Sequence, residues 1–598
     1  MNNTLLTITT ALAVFLYSCL IYLRCNRGMA RNARGQQTRR FFFATVAAFA
    51  PLAVSNNSVL QPQLLLALFV ALTWITTYPL LYHLTNRKSS PDYENYMDIA
   101  FGLYTFGWLS GIILLTQHFL PGNRWMLSLL SIVELLLLII AVFQIVYYLI
   151  YKVCMDANGM KILQETHWNE IIEFSKSFTF IQNLGMILPV VAVTAACFLV
   201  NFQHVDTDQL TVPQVVMIAA LTIFYLYYTW KPRHSVFSRT GIAELFAVVK
   251  EYVENNHRYT NQMEQRISDL IITPLSTPPA DLPPHTIFMV IGESACRDYM
   301  SAFHPEMKED TTPWLRQSAE DQQHFLLFPN TYSCAMQTVP TLEKALTEYN
   351  QYNGKAFYES CSIVDVARKL GYRIHWYSNQ GHLGSFDTPI TLVAETSDVA
   401  KWTKQELGKV QYDESLIDFL DEVDPGKNNF VVLHLKGSHF NFMSRYPQAF
   451  TRWGTPGVQD NVVNYKNSIC YTDSILQQFF EYGKTRLNLQ AMLYFSDHAT
   501  EPGRRRKPNF EGFQMTRIPM FAYFSDEYIR LHPNRVSALQ KNREKYFTND
   551  LVYDLMCGIF DIQSNHFDES ASLASNQYRF TRDMLLTYEG QKHIAEDE

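Results

Sequence analysis

Cysteine is scarce and unpatterned in this chain. Nine occur among 598 residues, with no CxxC pair and no metal-ligand spacing, which removes zinc-finger and thioredoxin-like readings. Four of them, Cys19, Cys25, Cys154 and Cys197, lie in or beside apolar segments. Cys296, Cys334, Cys361, Cys470 and Cys557 form an odd set that cannot all pair internally, so one or two disulfides are allowed and none is required. A basic excess is missing too. With 49 Lys and Arg against 56 Asp and Glu the formal net charge is -7, whereas a protein that tracks phosphates is basic across its domain; nucleic acid is not an expected partner. The first apolar run lacks a basic n-region and a small-residue cleavage site, so it reads as a retained span rather than a signal peptide.

What is present divides unevenly. The average of 48% hydrophobic and 18% charged conceals apolar residues crowded into the first 230 positions and charges in the rest, in a chain too long for one core. Uncharged apolar runs lie at about 4–23, 41–55, 64–82, 99–120, 178–200 and 213–230, and a seventh, 126–150, carries Glu134. Several approach the roughly 20 residues a spanning helix needs. So many in succession, joined by short polar links, indicate a multi-pass helical bundle with membrane lipids around it. Glu134 is either a functional intramembrane carboxylate or a group facing a polar partner within the bundle. The link 24–40 holds six arginines and no acid, which places it, and the link with Arg87 and Lys88, in the cytoplasm. From that anchor six later spans would leave the C-terminal part cytoplasmic, and five would put it outside; the short 41–55 run with Pro51 leaves both counts open.

Residues 231–284 form the connection: an amphipathic, charged stretch suited to the membrane surface, then "TPLSTPPADLPPH", with five prolines in thirteen residues, a linker. From 285 to 598 short apolar strand runs alternate with helical stretches. The runs "TIFMVIGE" (286–293), "YRIHWYSN" (372–379), "NFVVLHLKGSH" (429–439), "AMLYFSDH" (491–498) and "IPMFAYFS" (518–525) predict an α/β domain with a mostly parallel sheet covered on both faces. Ligands in such sheets bind beyond the carboxyl ends of the strands, where Glu293, Ser378, Asn379, His439, Asp497 and His498 would converge.

A carboxylate at one strand end and an Asp-His pair at another are a donor set for zinc or manganese. In "NTYSCAMQTVPTLEKALTEY" (330–349) Pro340 and Glu343 mark a helix start, with Thr338 just before it. Two roles stand open for that hydroxyl: capping the helix, with Thr341 as rival cap, or acting as a nucleophile whose proton a metal displaces while the helix N-terminus favours a phosphate.

The ordered motifs "VIGESACRDYMSAFHPEMKEDTTPWL", "FPNTYSCAMQT", "WYSNQG", "LHLKGSHFNFMSRYP", "YTDSIL" and "FSDH" resemble the membrane phosphoethanolamine transferases of the alkaline phosphatase superfamily, a group with a sulfatase-like catalytic domain that includes lipid A-modifying enzymes. The resemblance implies three regions: a transmembrane domain, 1–230; amphipathic helices and a Pro-rich linker, 231–284; and a soluble catalytic domain, 285–598. It implies that Glu293, Thr338, Asp497 and His498 bind a catalytic zinc, that Thr338 is the nucleophile, and that His439 helps bind substrate phosphate or a second zinc. Asn379 belongs to the matching "YSNQG" and is assigned to substrate binding; His434 is a strand residue of structural type. The implied reaction takes phosphoethanolamine from phosphatidylethanolamine onto Thr338, releases diacylglycerol, and passes the group to a glycolipid or glycan. The implied location is a bacterial inner membrane with the catalytic domain in the periplasm, and no obligate protein partner is inferred.

The chain departs from that pattern where "SDH" continues "ATEPGRRRKPNF", with no histidine until His532, and Cys334 lacks its usual disulfide mate. Both departures bear on the second zinc and on the acceptor. Arg504, Arg505, Arg506 and Lys507 are either a solvated loop or an anion clamp for the acceptor. The competing reactions are a same-fold hydrolase and a glycerophosphate transferase; a sulfatase would need a C/S-x-P-x-R motif, and no such arginine follows Thr338.

Overall fold

The computed structural model describes residues 3–26, 31–86, 96–155, 159–160, 175, 178–205, 209–231, 234–276, 282–380, 388–404, 410–503 and 512–598. By internal contacts the chain divides into two units: one containing 1–164 and 178–251, the other containing 252–598.

The first unit is built from α1 (Asn3–Cys25), α2 (Arg31–Ser55), α3 (Pro62–Thr85), α4 (Met97–Phe119), α5 (Arg124–Tyr151), α6 (Phe180–Asn201), α7 (Val212–Trp230) and the start of α8 (Gly241–Asn261). All of α1 to α7 except α2 are long and apolar enough to cross a membrane, so this is a multi-pass membrane protein. Close backbone approach holds α3 to α4: a Cβ at Gly102 would lie 2.6 Å from the carbonyl oxygen of Ala71 and 2.7 Å from Ile75 Cγ1, the small-residue contact that replaces the hydrophobic effect between helices in lipid. Gly102→Ala is therefore expected to destabilise the bundle by about 1–3 kcal/mol, read as a lowered melting temperature of the detergent-solubilised full chain.

Hydrogen bonds fix the direction of each helix. At one face Asn3 donates to the carbonyl of Asn56 (3.0 Å), and Gln63 to that of Asn201 (2.8 Å). Gln117 also donates to Gln63 there (2.6 Å), as does Gln214 to Val54 (2.8 Å). At the opposite face Arg40 donates to the Tyr96 hydroxyl (2.7 Å), the Cys154 N–H to Thr85, and Phe237, just past α7, meets Phe101 at 5.4 Å between ring centroids. The 41–55 segment of α2 thus runs from the Arg40 face to the Val54 face and crosses the bundle. The arginine-bearing link and the exit of α7 consequently share one face. This decides the count that the short 41–55 run left open in favour of six later spans: α2 falls below the apolarity of a span because arginines fill its first half, yet its second half packs as one.

Glu134 is fully buried, and one of its oxygens accepts from Asn201 Nδ2 at 2.5 Å. The structure supplies the polar partner within the bundle.

In the second unit seven strands form one sheet: β1 (Thr286–Gly292), β2 (Phe325–Leu327), β3 (Arg373–Ser378), β4 (Val399–Trp402), β5 (Asn429–His434), β6 (Leu489–Ser496) and β7 (Met520–Phe524), in the order β2-β7-β6-β1-β5-β3-β4. Only β7 runs against the others, pairing antiparallel with β6 and β2. The five long strands lie where the apolar runs predict. The edge strands β2 and β4 are three and four residues long, too short to leave a period in the sequence. The β1, β5 and β6 strands are buried throughout, because helices such as α9 (Thr338–Ala345) and α10 (Asn461–Arg486) accompany the sheet. At the start of the proline-rich stretch, Ile272–Pro274 pairs antiparallel with Ile562–Ser564, so part of the predicted linker is a strand.

Candidate active site and metal centre

Strands β1 and β6 are parallel neighbours with Gly292 opposite Ser496, so the residues that follow, Glu293 and the Asp497-His498 pair, leave the sheet side by side. On the other side of β1 runs β5, which delivers the Lys436–His439 turn; Asn379 and Gln380 follow β3. The convergence expected at the carboxyl edge is present.

Glu293, Asp497 and His498 are buried, and one ligand atom from each lies within 4.8 Å of the others. His498 Nε2 sits 3.4 Å from Glu293 Oε1 and 3.3 Å from Asp497 Oδ2. Thr338 Oγ1 donates to Glu293 Oε2 at 3.1 Å and is 3.5 Å from His498 Nε2. The supporting shell aims these atoms. His498 Nδ1 is 3.0 Å from the carbonyl of Ala499, which accepts an N–H there and leaves Nε2 as the lone-pair donor. Asp497 Oδ1 accepts the N–H groups of Ser294 (3.0 Å) and His498 (2.6 Å), while its Oδ2 is buried without a hydrogen-bond partner. Ser294 takes a left-handed φ of 58°, the kind of strained conformation found at functional sites; its carbonyl accepts from Tyr465 (2.7 Å), whose hydroxyl in turn accepts the Cys296 N–H (2.8 Å).

The electrostatics ask for a cation. Burial, then the adjacent Glu293 carboxylate, push Asp497 well above the usual carboxylate range. Burial acts the same way on Glu293, but His498 and His439 outweigh it and hold that group below its ordinary value. Two carboxylates taken out of water against each other are costly unless a cation joins them. An orphaned carboxylate oxygen, a second carboxylate, an aimed imidazole and a hydroxyl fit zinc.

Thr338 is the first residue of α9, and the helix is capped by Gln337 without a side-chain bond. Thr341 Oγ1 is buried and unpartnered. Neither threonine caps the helix; the Thr338 hydroxyl points instead to Glu293.

His439 is half-buried, near enough for its charge to act on Glu293, and its Nδ1 lies 2.7 Å from the Phe440 carbonyl. His434 is buried on β5 and pushed down to about 4 by that burial, in keeping with a structural role. Asn379 is fully buried with Nδ2 donating to Asp413 (2.8 Å) and Oδ1 accepting from Thr403 (2.6 Å). Its work is to hold Asp413, which takes the N–H groups of Lys436 (2.7 Å) and Gly437 (2.9 Å). Gly437 has φ 51°, and a Cβ there would lie 2.8 Å from the Glu293 carbonyl oxygen, so only glycine lets this turn pass Glu293. Arg504, Arg505, Arg506 and Lys507 lie outside the described residues.

Two residues were missed. Gln380 Nε2 donates to the Leu435 carbonyl (2.6 Å) and reaches Glu293 Oε2 (3.4 Å); its signal was the "SNQ" motif, in which the neighbouring Asn drew the assignment. Asn549 donates to the Asp497 carbonyl (2.6 Å) and accepts the Cys334 N–H (2.9 Å), tying Asp497 to the loop before Thr338; nothing in its sequence surroundings marks it. All nine cysteines are free and buried, so the allowed disulfides do not form. The other group with metal-type spacing among the described residues is Glu348, Cys361 and His566, where the Lys355 ammonium already neutralises the carboxylate. His532 pairs with Asp561 (3.1 Å).

Comparison with known proteins agrees with this geometry. A family profile described as Sulfatase matches residues 285–557. Phosphoethanolamine transferase EptC of Escherichia coli strain K12 is 22% identical over 472 residues, 73% of this chain and 80% of that protein. The chain is thus similar to a membrane phosphoethanolamine transferase over most of its length. A second relative, phosphoethanolamine transferase OpgE of the same strain, is 29% identical over 267 residues, 42% of this chain and 47% of the relative. The fold is shared along nearly the whole length with the integral membrane lipooligosaccharide phosphoethanolamine transferase A of Neisseria meningitidis. That structure has a TM-score of 0.55 at 16% identity and covers 85% of this chain and 98% of that one.

Proposed function

We propose that this protein transfers phosphoethanolamine from phosphatidylethanolamine to a hydroxyl or phosphate of a cell-envelope glycolipid or glycan, through a phosphoethanolamine ester on Thr338. The observation that carries the reading is the Thr338 hydroxyl, 3.1 Å from one buried carboxylate at the first turn of a helix. Glu293 offers that hydroxyl an acceptor for its proton while the α9 N-terminus favours the incoming phosphate. As the Oγ–P bond forms, the P–O bond to glycerol breaks, and diacylglycerol leaves carrying the proton that Thr338 gave up. An acceptor hydroxyl or phosphate then attacks the same phosphorus, and Thr338 regains a proton. His439 is assigned the substrate phosphate. Glu293, Asp497, His498 and Thr338 would hold one zinc, with manganese as the rival on this oxygen-rich set; when bound, the ion lowers the hydroxyl pKa and neutralises charge building on the phosphoryl group. Two half-reactions at one nucleophile predict ping-pong kinetics.

A solved relative is named for lipooligosaccharide, which supports a glycolipid acceptor. The experiment is intact mass of the purified protein after incubation with phosphatidylethanolamine and no acceptor. A phosphoethanolamine increment localised to Thr338 supports the reading; free phosphoethanolamine with no increment points to a hydrolase, and a glycerophosphate increment from phosphatidylglycerol to another donor.

We place the catalytic unit in the periplasm at a bacterial inner membrane, as the family resemblance implies. The bundle geometry then brings the arginine link to the same side, against the usual charge preference. A cysteine introduced at Gln36 is expected to react with a membrane-impermeant maleimide in intact spheroplasts, and one at Asn57 only after permeabilisation. The reverse pattern would put the catalytic unit in the cytoplasm.

A further inference from the structure

Beside α5 lies a cavity of about 310 Å³ lined by residues that include Ile139, Phe143, Gln144, Met155, Leu245 and Phe246. Its volume falls at the lower end of the roughly 300–1,000 Å³ typical of ligand pockets. No lining side chain is charged, which makes the cavity unsuited to a phosphate or an ammonium headgroup. Two observations mark it as more than a packing gap. It lies at the face where Cys154 meets Thr85, the face at which α7 ends. One wall is the first turn of α8, which is pinned to the bundle by the Gly241 N–H donating to the buried carboxylate of Asp98 (3.1 Å). The second observation is Gln144, 3% exposed, whose Nε2 is buried without a hydrogen-bond partner. A buried donor left unpaired is costly, and in an apolar slot it is a ready partner for an uncharged acceptor.

We propose that this slot binds one acyl chain of a membrane glycerophospholipid, its methylenes against Ile139, Phe143, Met155 and Leu245, and an ester carbonyl accepting from Gln144 Nε2. Phe143 and Phe246, 46% and 51% exposed, form the mouth through which the chain enters from the bilayer. The inference rests on the phospholipid-donor reading, because the lipid held there is the donor awaiting transfer of its headgroup.

The test uses the full-length Thr338→Ala protein, in which no turnover is required, in nanodiscs of phosphatidylglycerol containing phosphatidylethanolamine with a diazirine-bearing acyl chain. After irradiation, crosslinks are expected in the peptides spanning 139–144 and 242–246. Leu245→Trp, which fills the slot, and Gln144→Leu, which removes the donor and keeps the shape, should each reduce them about fivefold, the scale of one hydrogen bond or steric block. Crosslinks distributed over lipid-facing α6 and α7 in the unsubstituted slot, or insensitive to both variants, overturn the proposal. Should Leu245→Trp fail to fold, the map of the protein with the native slot and the Gln144→Leu comparison still decide. Failure of the donor reading appears separately, as absence of the Thr338 adduct in the wild-type protein.

Discussion

Thr338→Ala is expected to lower phosphoethanolamine transfer on the order of 10⁴-fold or more, the scale seen when a covalent nucleophile is removed. The fold should survive, because Thr338 is only half-buried and makes its bonds to site residues rather than capping α9; surface-type substitutions of this kind cost within about 0.5 kcal/mol. Thr338→Ser keeps the oxygen that meets Glu293 and should retain part of the activity. The measurement is donor turnover alongside adduct mass. A purely positional role for Thr338 would leave the adduct in the alanine variant, at lower occupancy and on another residue. Zinc content should fall less in Thr338→Ala than in any carboxylate variant, since a neutral hydroxyl is the weakest of the four donors.

Asp497→Asn has the second largest expected effect, and its sign depends on the metal. In the presence of zinc the variant should bind the ion at least about 100-fold more weakly, the range in which even groups behind the ligands act, with activity falling in step. In metal-free protein the same change should stabilise, by about 1 kcal/mol or more. It removes one of two buried carboxylates that repel each other, and an amide N–H at the Oδ2 position can donate to Glu293. Thermal unfolding of the full chain with and without chelator should show the crossing. The pH dependence follows. Asp497 has a folded pKa above its unfolded one, so the folded state binds the extra proton and the metal-free protein gains stability as pH falls from neutral toward the ordinary carboxylate pKa of about 4. Metal-loaded protein should show the opposite trend over that range, because protons compete with the ion for its ligands. Equal stability of wild type and Asp497→Asn in chelator at pH 7 would remove the electrostatic argument for a cation.

The candidate set for chemistry was legible in the chain alone. Glu293 and the Asp497-His498 pair are legible because each ends a long apolar run, and a fully buried parallel strand leaves such a run whatever lies beside it. The five long strands and the apolar helices were legible for the same reason: burial and bilayer impose composition over many residues. The rest depends on approach between distant segments. The amide of Asn379 faces Asp413 and Thr403, while Gln380, one residue on, reaches Glu293. Asn549 joined the site across more than 50 residues. The crossing of α2 could not be read from its arginine-weighted average, since the bonds at Arg40 and Val54 that orient it come from other helices. Composition records which environment a segment occupies; partners and direction are set by packing, and packing here assigned Thr338 to Glu293 rather than to its own helix.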